Sequence, residues 1–129
     1  MSYAQERVDI ETRLNENWYT TPISWDNVPY TATPGTPWIR CTILPGEVDA
    51  LEFGRDTVKE HSGIIVINIF TQRDTGSALA RTYADTLSTI FDMQEFGTID
   101  CAEAAVQNLG VDEAWHHMVI TIPYTRREA

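Results

Sequence analysis

Basic residues are scarce in this chain of 129 residues: nine lysines and arginines face 19 aspartates and glutamates, and the formal net charge is -10. Proteins that bind DNA or RNA draw much of their affinity from basic side chains that neutralise phosphates. The composition therefore argues against nucleic-acid binding. It suits either an ordinary soluble surface or a channel wall past which DNA slides without sticking.

Cysteines and long apolar runs are also few. Cys41 and Cys101 form no C-x-x-C pair, which excludes a typical zinc cluster or disulfide framework, and both are expected to be reduced core residues. No apolar run approaches the roughly 20 residues of a membrane span. The acidic residues within Met1–Leu14 argue against a secretory signal. We expect one soluble domain over residues 1–129, made in the cytoplasm and without membrane contact.

The known catalytic motifs do not occur. The sequence has no G-x-G-x-x-G and no G-x-x-x-x-G-K-[ST], and Gly76-Ser77 lacks the G-x-S-x-G frame. His116 and His117 are adjacent in a predicted strand, so they point to opposite faces and cannot readily share a metal. We predict no enzyme activity, no cofactor and no metal. A small α+β ligand-binding or enzymatic domain is the alternative, and its signature would be a deep pocket with convergent polar groups.

Two segments have helical periodicity. Ser2-Tyr3-Ala4-Gln5 fits a capping box at the start of the first helix. The apolar residues that follow at helical spacing are Tyr3, Ile10, Leu14 and Trp18. A second helix, predicted to end near Phe96-Gly97, carries an apolar stripe of Leu79, Tyr83, Leu87 and Ile90 or Phe91.

The remaining segments indicate strands. Residues 38–44 alternate as a half-buried strand, Pro45-Gly46 is predicted to turn the chain, and residues 47–53 return. The polar stretch 54–62 is either a flexible loop or an extended hairpin tip. The apolar run 64–70 predicts a central strand buried on both faces. Strands over 98–109 and 116–124, joined by a turn at 110–113, complete an α+β fold: a mixed, mainly antiparallel β-sheet flanked by two helices, with a long β-hairpin.

Aromatic residues are concentrated before the first long strand. Trp18, Trp25, Tyr30 and Trp38 fall within 21 consecutive residues, in or beside a segment from Thr20 to Pro37 with four prolines. Prolines exclude a long helix there but suit an ordered arm or a linker. The aromatic side chains either cover the core or anchor a partner, because such residues dominate interface energetics.

The same segment carries a family resemblance. Residues 21–29 (TPISWDNVP), Pro37-Trp38-Ile39-Arg40, Gly63–Phe70, Gly76 and Ala84-Asp85 resemble the tail-completion or tail-terminator proteins of siphovirus-type, lambda-like phage tails. The resemblance runs from the first helix to about Phe91, and the last 30 residues match only by pattern. It implies a mixed sheet flanked by helices and a hexameric ring as the working form. That family offers no catalytic residues.

The resemblance implies a structural virion protein that caps the tail tube, stops its polymerisation and joins it to the head or neck. Its partners would be further copies of itself, the tail tube protein and a neck or head-completion protein, with DNA passing through the channel unbound. A head–tail connector is the nearest alternative, and a tail-tube subunit a more distant one. The predicted interface residues are Trp25, Asp26, Asn27, Tyr30, Trp38, Arg40, Arg55, Asp56, Lys59, Glu60 and Arg73.

Overall fold

The computed structural model, which describes residues 3–33, 35–50, 58–73, 76–111 and 115–128, is an α+β fold of two helices and a seven-stranded mixed sheet. Most of the strand pairs are antiparallel, as predicted from the sequence. None of the described helices is long and apolar enough to span a membrane. The elements in chain order are α1 (Tyr3–Asn17), β1 (Ile23–Trp25), β2 (Trp38–Ala50), β3 (Lys59–Gln72), α2 (Ala78–Phe91), β4 (Glu95–Phe96), β5 (Ile99–Cys101), β6 (Ala105–Val111) and β7 (Trp115–Glu128).

The sheet is ordered β1-β2-β3-β7-β5-β4, and β6 pairs with the first half of β7. β1 runs parallel to β2, while β2, β3 and β7 form a long antiparallel centre. β3 pairs with β7 along its whole length, from Lys59 opposite Glu128 to Gln72 opposite Trp115. The β1–β2 side and the β4–β5–β6 side therefore lie at opposite edges of the sheet.

One face of the sheet, which we call the helix face, forms the core with α1 and α2. Alternate residues of β3 and β7 point to it because side chains of a strand alternate between the two faces. These residues and the helical ones packed on them are buried, and burial of each large aliphatic side chain contributes about 1.5–3 kcal/mol. The main members are Ile10, Leu14, Trp18, Ile65, Ile67, Ile69, Ala84, Leu87, Phe91, Met118, Ile120 and Ile122.

The opposite face, which we call the open face, is only partly covered. Ile64 is 41% exposed, and Val66 and Asn68 are half-buried. The prediction that this strand is buried on both faces was therefore wrong. Its near-continuous apolar sequence reflects a core on one side and a surface of low polarity on the other.

The first hairpin differs from the predicted one: residues 47–50, predicted to return along residues 38–44, continue β2, and the strand that returns is β3. Pro45-Gly46 does not turn the chain, because pairing with β3 continues past a bulge between Pro45 and Val48 as far as Ala50 opposite Lys59. Residues 59–62, which we had assigned to a polar loop or hairpin tip, are accordingly the start of β3. Residues 51–57, which include the first part of the predicted tip (54–62), lie outside the described residues.

The C-terminal third also differs from the prediction. The strand predicted over 98–109 is two strands, β5 and β6, which pair with different halves of β7. The break between them is fixed by hydrogen bonds from Ala102 N to Pro123 O (2.8 Å) and from Ala104 N to Asp92 Oδ1 (2.7 Å). β6 runs on to Val111, into the predicted turn, and residues 112–114 are outside the described residues.

The helices lie where the periodicity indicates, but their ends and stripes differ in detail. α2 ends at Phe91, about five residues earlier than predicted, where Asp92 N donates to Ser88 O (2.6 Å). Tyr3 and Leu79 were assigned to apolar stripes, yet they are 52% and 44% exposed. Each stands in the first turn of its helix, and Tyr3 still contacts the sheet, where its exposed ring meets the His61 ring edge-on.

Asp9 links α1 to the loop before β5. Its carboxylate accepts hydrogen bonds from Gln5 Nε2 (2.8 Å), Thr98 N (3.1 Å) and Thr98 Oγ1 (2.8 Å). Burial by itself raises the pKa of Asp9, but these hydrogen bonds outweigh it and hold the pKa below its ordinary value. Gly97, at φ +54°, has no room for a side chain, because an added Cβ would lie 2.6 Å from Asp9 Cγ.

Replacement of this carboxylate, Asp9→Asn, should lower the free energy of unfolding by about 1–2 kcal/mol at neutral pH. A depressed folded-state pKa gives stability that is present above the unfolded pKa of about 3.9 and is lost as pH falls through the lower folded value. The difference between wild type and variant should thus shrink between pH 6 and pH 3 in urea unfolding. Glu16→Gln, at an exposed site on the same helix, is the control. A difference that is constant with pH would contradict the assignment.

Candidate subunit interface

The open face is almost free of charge at its centre. Across three strands, the directly opposed residues form rows such as Leu44, Ile64 and Pro123. The other outward side chains of these rows are Trp38, Arg40, Thr42, Val66, Asn68, Phe70, His117, Val119 and Thr121. Among them Arg40 carries the one formal charge, in a protein whose net charge is -10. Depletion of charge is the compositional mark of an interface centre.

At one end of the open face four rings form a row that we call the aromatic ladder: Tyr30, Trp38, Phe70 and His117. Successive ring centroids are 4.8, 4.1 and 4.5 Å apart, and the last two contacts are stacked, at 13° and 17°. The ladder crosses β2, β3 and β7, and His117 Nε2 lies 2.9 Å from Asn68 Oδ1. Trp115 meets Trp38 edge-on at 6.2 Å. These contacts join rings from three strands and from the segment before β2 into one cluster.

Arg40 lies over this ladder. Its Cζ is 5.1 Å from the Trp38 ring centroid and 5.9 Å from that of Phe70, which is cation–π distance. Arg40 is exposed and forms no ion pair with any described residue. The guanidinium thus lies against the aromatic ladder while the Arg40 residue as a whole is exposed.

The turn after β1 brings together three of the predicted residues. Trp25 is half-buried and packs on the core, while Asp26 and Asn27 are exposed. Val28 N donates to Trp25 O (3.2 Å), and Asn27 takes φ 59°, a left-handed value that asparagine tolerates. Clefts of about 480 and 510 Å³ flank the turn, and the second is lined by Arg40 as well.

The other predicted residues lie elsewhere. Lys59 and Glu60 are at the far end of β3, where Glu60 is 3.8 Å from Arg127 across the strands, and Arg73 is exposed just beyond the other end. Arg55 and Asp56 are outside the described residues. The structure thus groups Trp25, Asp26, Asn27, Tyr30, Trp38 and Arg40 at the β1–β2 edge.

Phe70, His117 and Trp115 belong to the ladder but were not predicted. Their ring neighbours across the sheet are 32 to 77 positions away in sequence, and only strand register brings them together. A weak signal exists in hindsight: Phe70 and His117 interrupt the aliphatic content of their strands. Of the aromatic residues in or beside the arm, Trp18 is in the core and Tyr30 packs against Trp38 on the open face.

The cysteine and histidine side chains could in principle act in catalysis or bind a metal. In this structure they take part in packing or in hydrogen bonds within the fold. Burial raises the pKa of the Cys41 and Cys101 thiols to about 12, so both are protonated and weak nucleophiles at neutral pH. The two thiols are free and buried, as predicted. His116 and His117 do point to opposite faces, towards Asn108 and Asn68 respectively. Within the described ranges, no cluster of three or more potential metal ligands occurs.

Comparisons with known proteins agree with this architecture. A family model described as "Phage tail terminator protein" matches residues 8–124. A search of curated proteins finds no match. Among solved structures, one chain titled only with a sequence identifier is similar over 100% of this chain and 98% of its own length, with a TM-score of 0.76 and 20% identity, a likeness that shows the fold alone. Because the family match reaches from α1 into β7, the chain belongs to the phage tail terminator family, whose members are structural proteins of the virion.

Proposed function

We propose that this chain forms a closed ring, a hexamer, on the last ring of the tail tube of a siphovirus-type phage. There it stops tube polymerisation and presents a surface to a neck or head-completion protein. The family match over residues 8–124 carries the proposal. The protein would assemble in the host cytoplasm and remain in the virion, without enzymatic activity.

The sheet supports a ring because its two edges are different. A head-to-tail contact uses two unlike patches on each copy and closes when the rotation between copies completes a circle. Here one edge presents the β1 turn and Arg40, and the other presents β4, β5 and β6. The residues that would contribute to contacts are Trp25, Asp26, Asn27, Tyr30, Trp38, Arg40, Arg55, Asp56, Lys59, Glu60 and Arg73.

The acidic composition supports the passage of DNA through such a ring. A channel wall with few cationic side chains displaces few counterions from DNA. Its affinity for DNA is therefore low. Carboxylates facing the channel would instead repel the phosphates. The DNA would be a passing occupant, and not a specific ligand.

A head–tail connector is the second candidate. It would bind the portal side of the neck and not the end of the tube. Immunogold labelling of separated tails and heads distinguishes the two: label at the tube end of free tails supports the terminator, and label on tail-less heads supports the connector.

Loss of this protein should give tails of abnormal length or tails that never join heads, because an uncapped tube end stays open to further addition. Electron microscopy of particles from a phage with a stop codon in the reading frame measures both properties. Complementation with the wild-type chain is the control. Normal-length tails attached to heads would overturn the terminator function.

A further inference from the structure

The edge of the sheet opposite Arg40 carries more acidic than basic side chains, and the nearby cation Arg13 lies over the Phe96 ring at 5.4 Å. Between Arg81 and Arg126 the sequence contains no lysine or arginine, although it contains seven acidic residues. Three of these, Glu95, Asp100 and Glu103, are exposed on β4, on β5 and on the link to β6. We call them the acidic flank. A surface with this charge attracts a cation, and repels another acidic surface.

Arg40 is the complementary group. It is an exposed cation beside the β1 edge, it has no ion pair among the described residues, and the aromatic ladder holds it in place. An oriented guanidinium loses little conformational entropy when it binds a carboxylate, and it can bind both oxygens at once. The neighbouring side chains of the open face carry no second cation, so a carboxylate that reaches Arg40 meets no competing cation there, although Asp26 lines the same cleft.

We infer that Arg40 of one copy binds the acidic flank of the next copy, and that this ion pair sets the register between neighbours in the ring. This inference rests on the proposed ring, and it adds the contact between neighbouring copies in that ring. A second copy is favoured as occupant because Arg40 and the acidic flank lie at opposite edges of one sheet, as a head-to-tail contact requires. Outside such a pairing, two chains of charge -10 repel each other.

Charge reversal tests the pair. Arg40→Glu in the full chain should reduce ring formation at least tenfold, measured by sedimentation velocity with purified tail tubes present. Glu95→Lys, Asp100→Lys and Glu103→Lys together should do the same. All four changes in one chain should restore rings, because every contact then has its charges exchanged. Arg40→Lys, which keeps the charge but not the planar fork, should give an intermediate result.

Arg81→Glu is the matched control, an exposed arginine on α2 away from the open face, and it should leave rings intact. Thermal unfolding of each variant verifies the fold. If wild type forms rings and Arg40→Glu forms them equally well, the ion pair is wrong but the ring stands. Failure of the fourfold variant to recover points to a different partner for Arg40 and also overturns the pair. No rings from wild type with tubes present would overturn both the ring and the pair.

Discussion

Glu6→Ala is expected to lower the free energy of unfolding by about 3–5 kcal/mol, the usual cost of breaking a buried ion pair. Arg126 Nε donates to Glu6 Oε1 at 2.9 Å, and the side chains are 1% and 3% exposed. Removal of Glu6 leaves the Arg126 charge in a site with little water. A loss of this size is a large share of the 5–15 kcal/mol that stabilises most domains.

The groups around the Glu6–Arg126 ion pair explain why removal of Glu6 should destabilise the fold so strongly. Arg126 Cζ lies 4.9 Å from the centroid of the Tyr3 ring, which meets the buried His61 ring edge-on at 5.4 Å. Burial and the neighbouring Glu6 carboxylate raise the pKa of Tyr124, so its hydroxyl stays neutral beside the pair. The group ties the first turn of α1 to the ends of β3 and β7.

Two further variants separate charge from packing in this site. Arg7→Ala removes an exposed ion pair with Glu11 on the same helix and should cost no more than about 0.5 kcal/mol. Glu6→Leu combined with Arg126→Met should recover most of the loss, because apolar residues of similar size can replace a buried pair. Urea unfolding measures all three. A double variant as unstable as Glu6→Ala would show that the cost comes from lost contacts and not from the unpaired charge.

The burial of Glu6 was not predicted, although helix spacing in the sequence is consistent with it. Glu6, Ile10 and Leu14 recur every four residues, which predicts the same side of α1, and all three are buried. A charged residue at such a position is normally interpreted as lying at the solvent-exposed edge of the apolar helix face. Its partner is 120 positions away, and the sequence gives no sign of that pairing.

Local chemistry predicted strands and faces well and boundaries poorly. Ile39, Cys41 and Ile43 alternate towards the core as expected, because period-two patterning directly reflects strand geometry. Pro45-Gly46 carries the residues of a turn, but the same residues also suit a bulge at a strand edge. The choice depends on whether the partner strand continues, which is a long-range property.

Only the residues of the candidate interface that are close together in sequence could be predicted from the sequence. Four of its residues are close in sequence: Trp25, Tyr30, Trp38 and Arg40. The first three give this segment a high density of aromatic side chains, which is the feature that predicted an interface. The uncharged centre of the open face arises from alternate positions of three strands, and its recognition requires their register. The acidic flank could be seen as a stretch without basic residues, yet its place opposite Arg40 follows only from the strand order.

Gly63→Ala is expected to destabilise the fold by about 3 kcal/mol, at the upper end for overpacking of a well-filled site. An added Cβ would lie 2.5 Å from Tyr124 Oη and 2.7 Å from the carbonyl oxygen of Leu44. Tyr124 is 1% exposed and lies directly opposite Gly63 across the β3–β7 pair. The ring fills the space that a side chain on Gly63 would take, and the backbone of β2 closes the other side.

A double-mutant cycle isolates the steric contact with Tyr124. Tyr124→Ala removes the ring, so Gly63→Ala should cost at least about 1 kcal/mol less in that background than in wild type. Gly35→Ala is a control for the loss of a glycine alone, since an added Cβ there meets nothing within 4 Å, although its φ of +78° adds a local backbone cost. Thermal and urea unfolding of the four proteins in the cycle give the coupling. Equal costs in both backgrounds would assign the effect to the Leu44 carbonyl and the strand backbone, and would remove Tyr124 from the explanation.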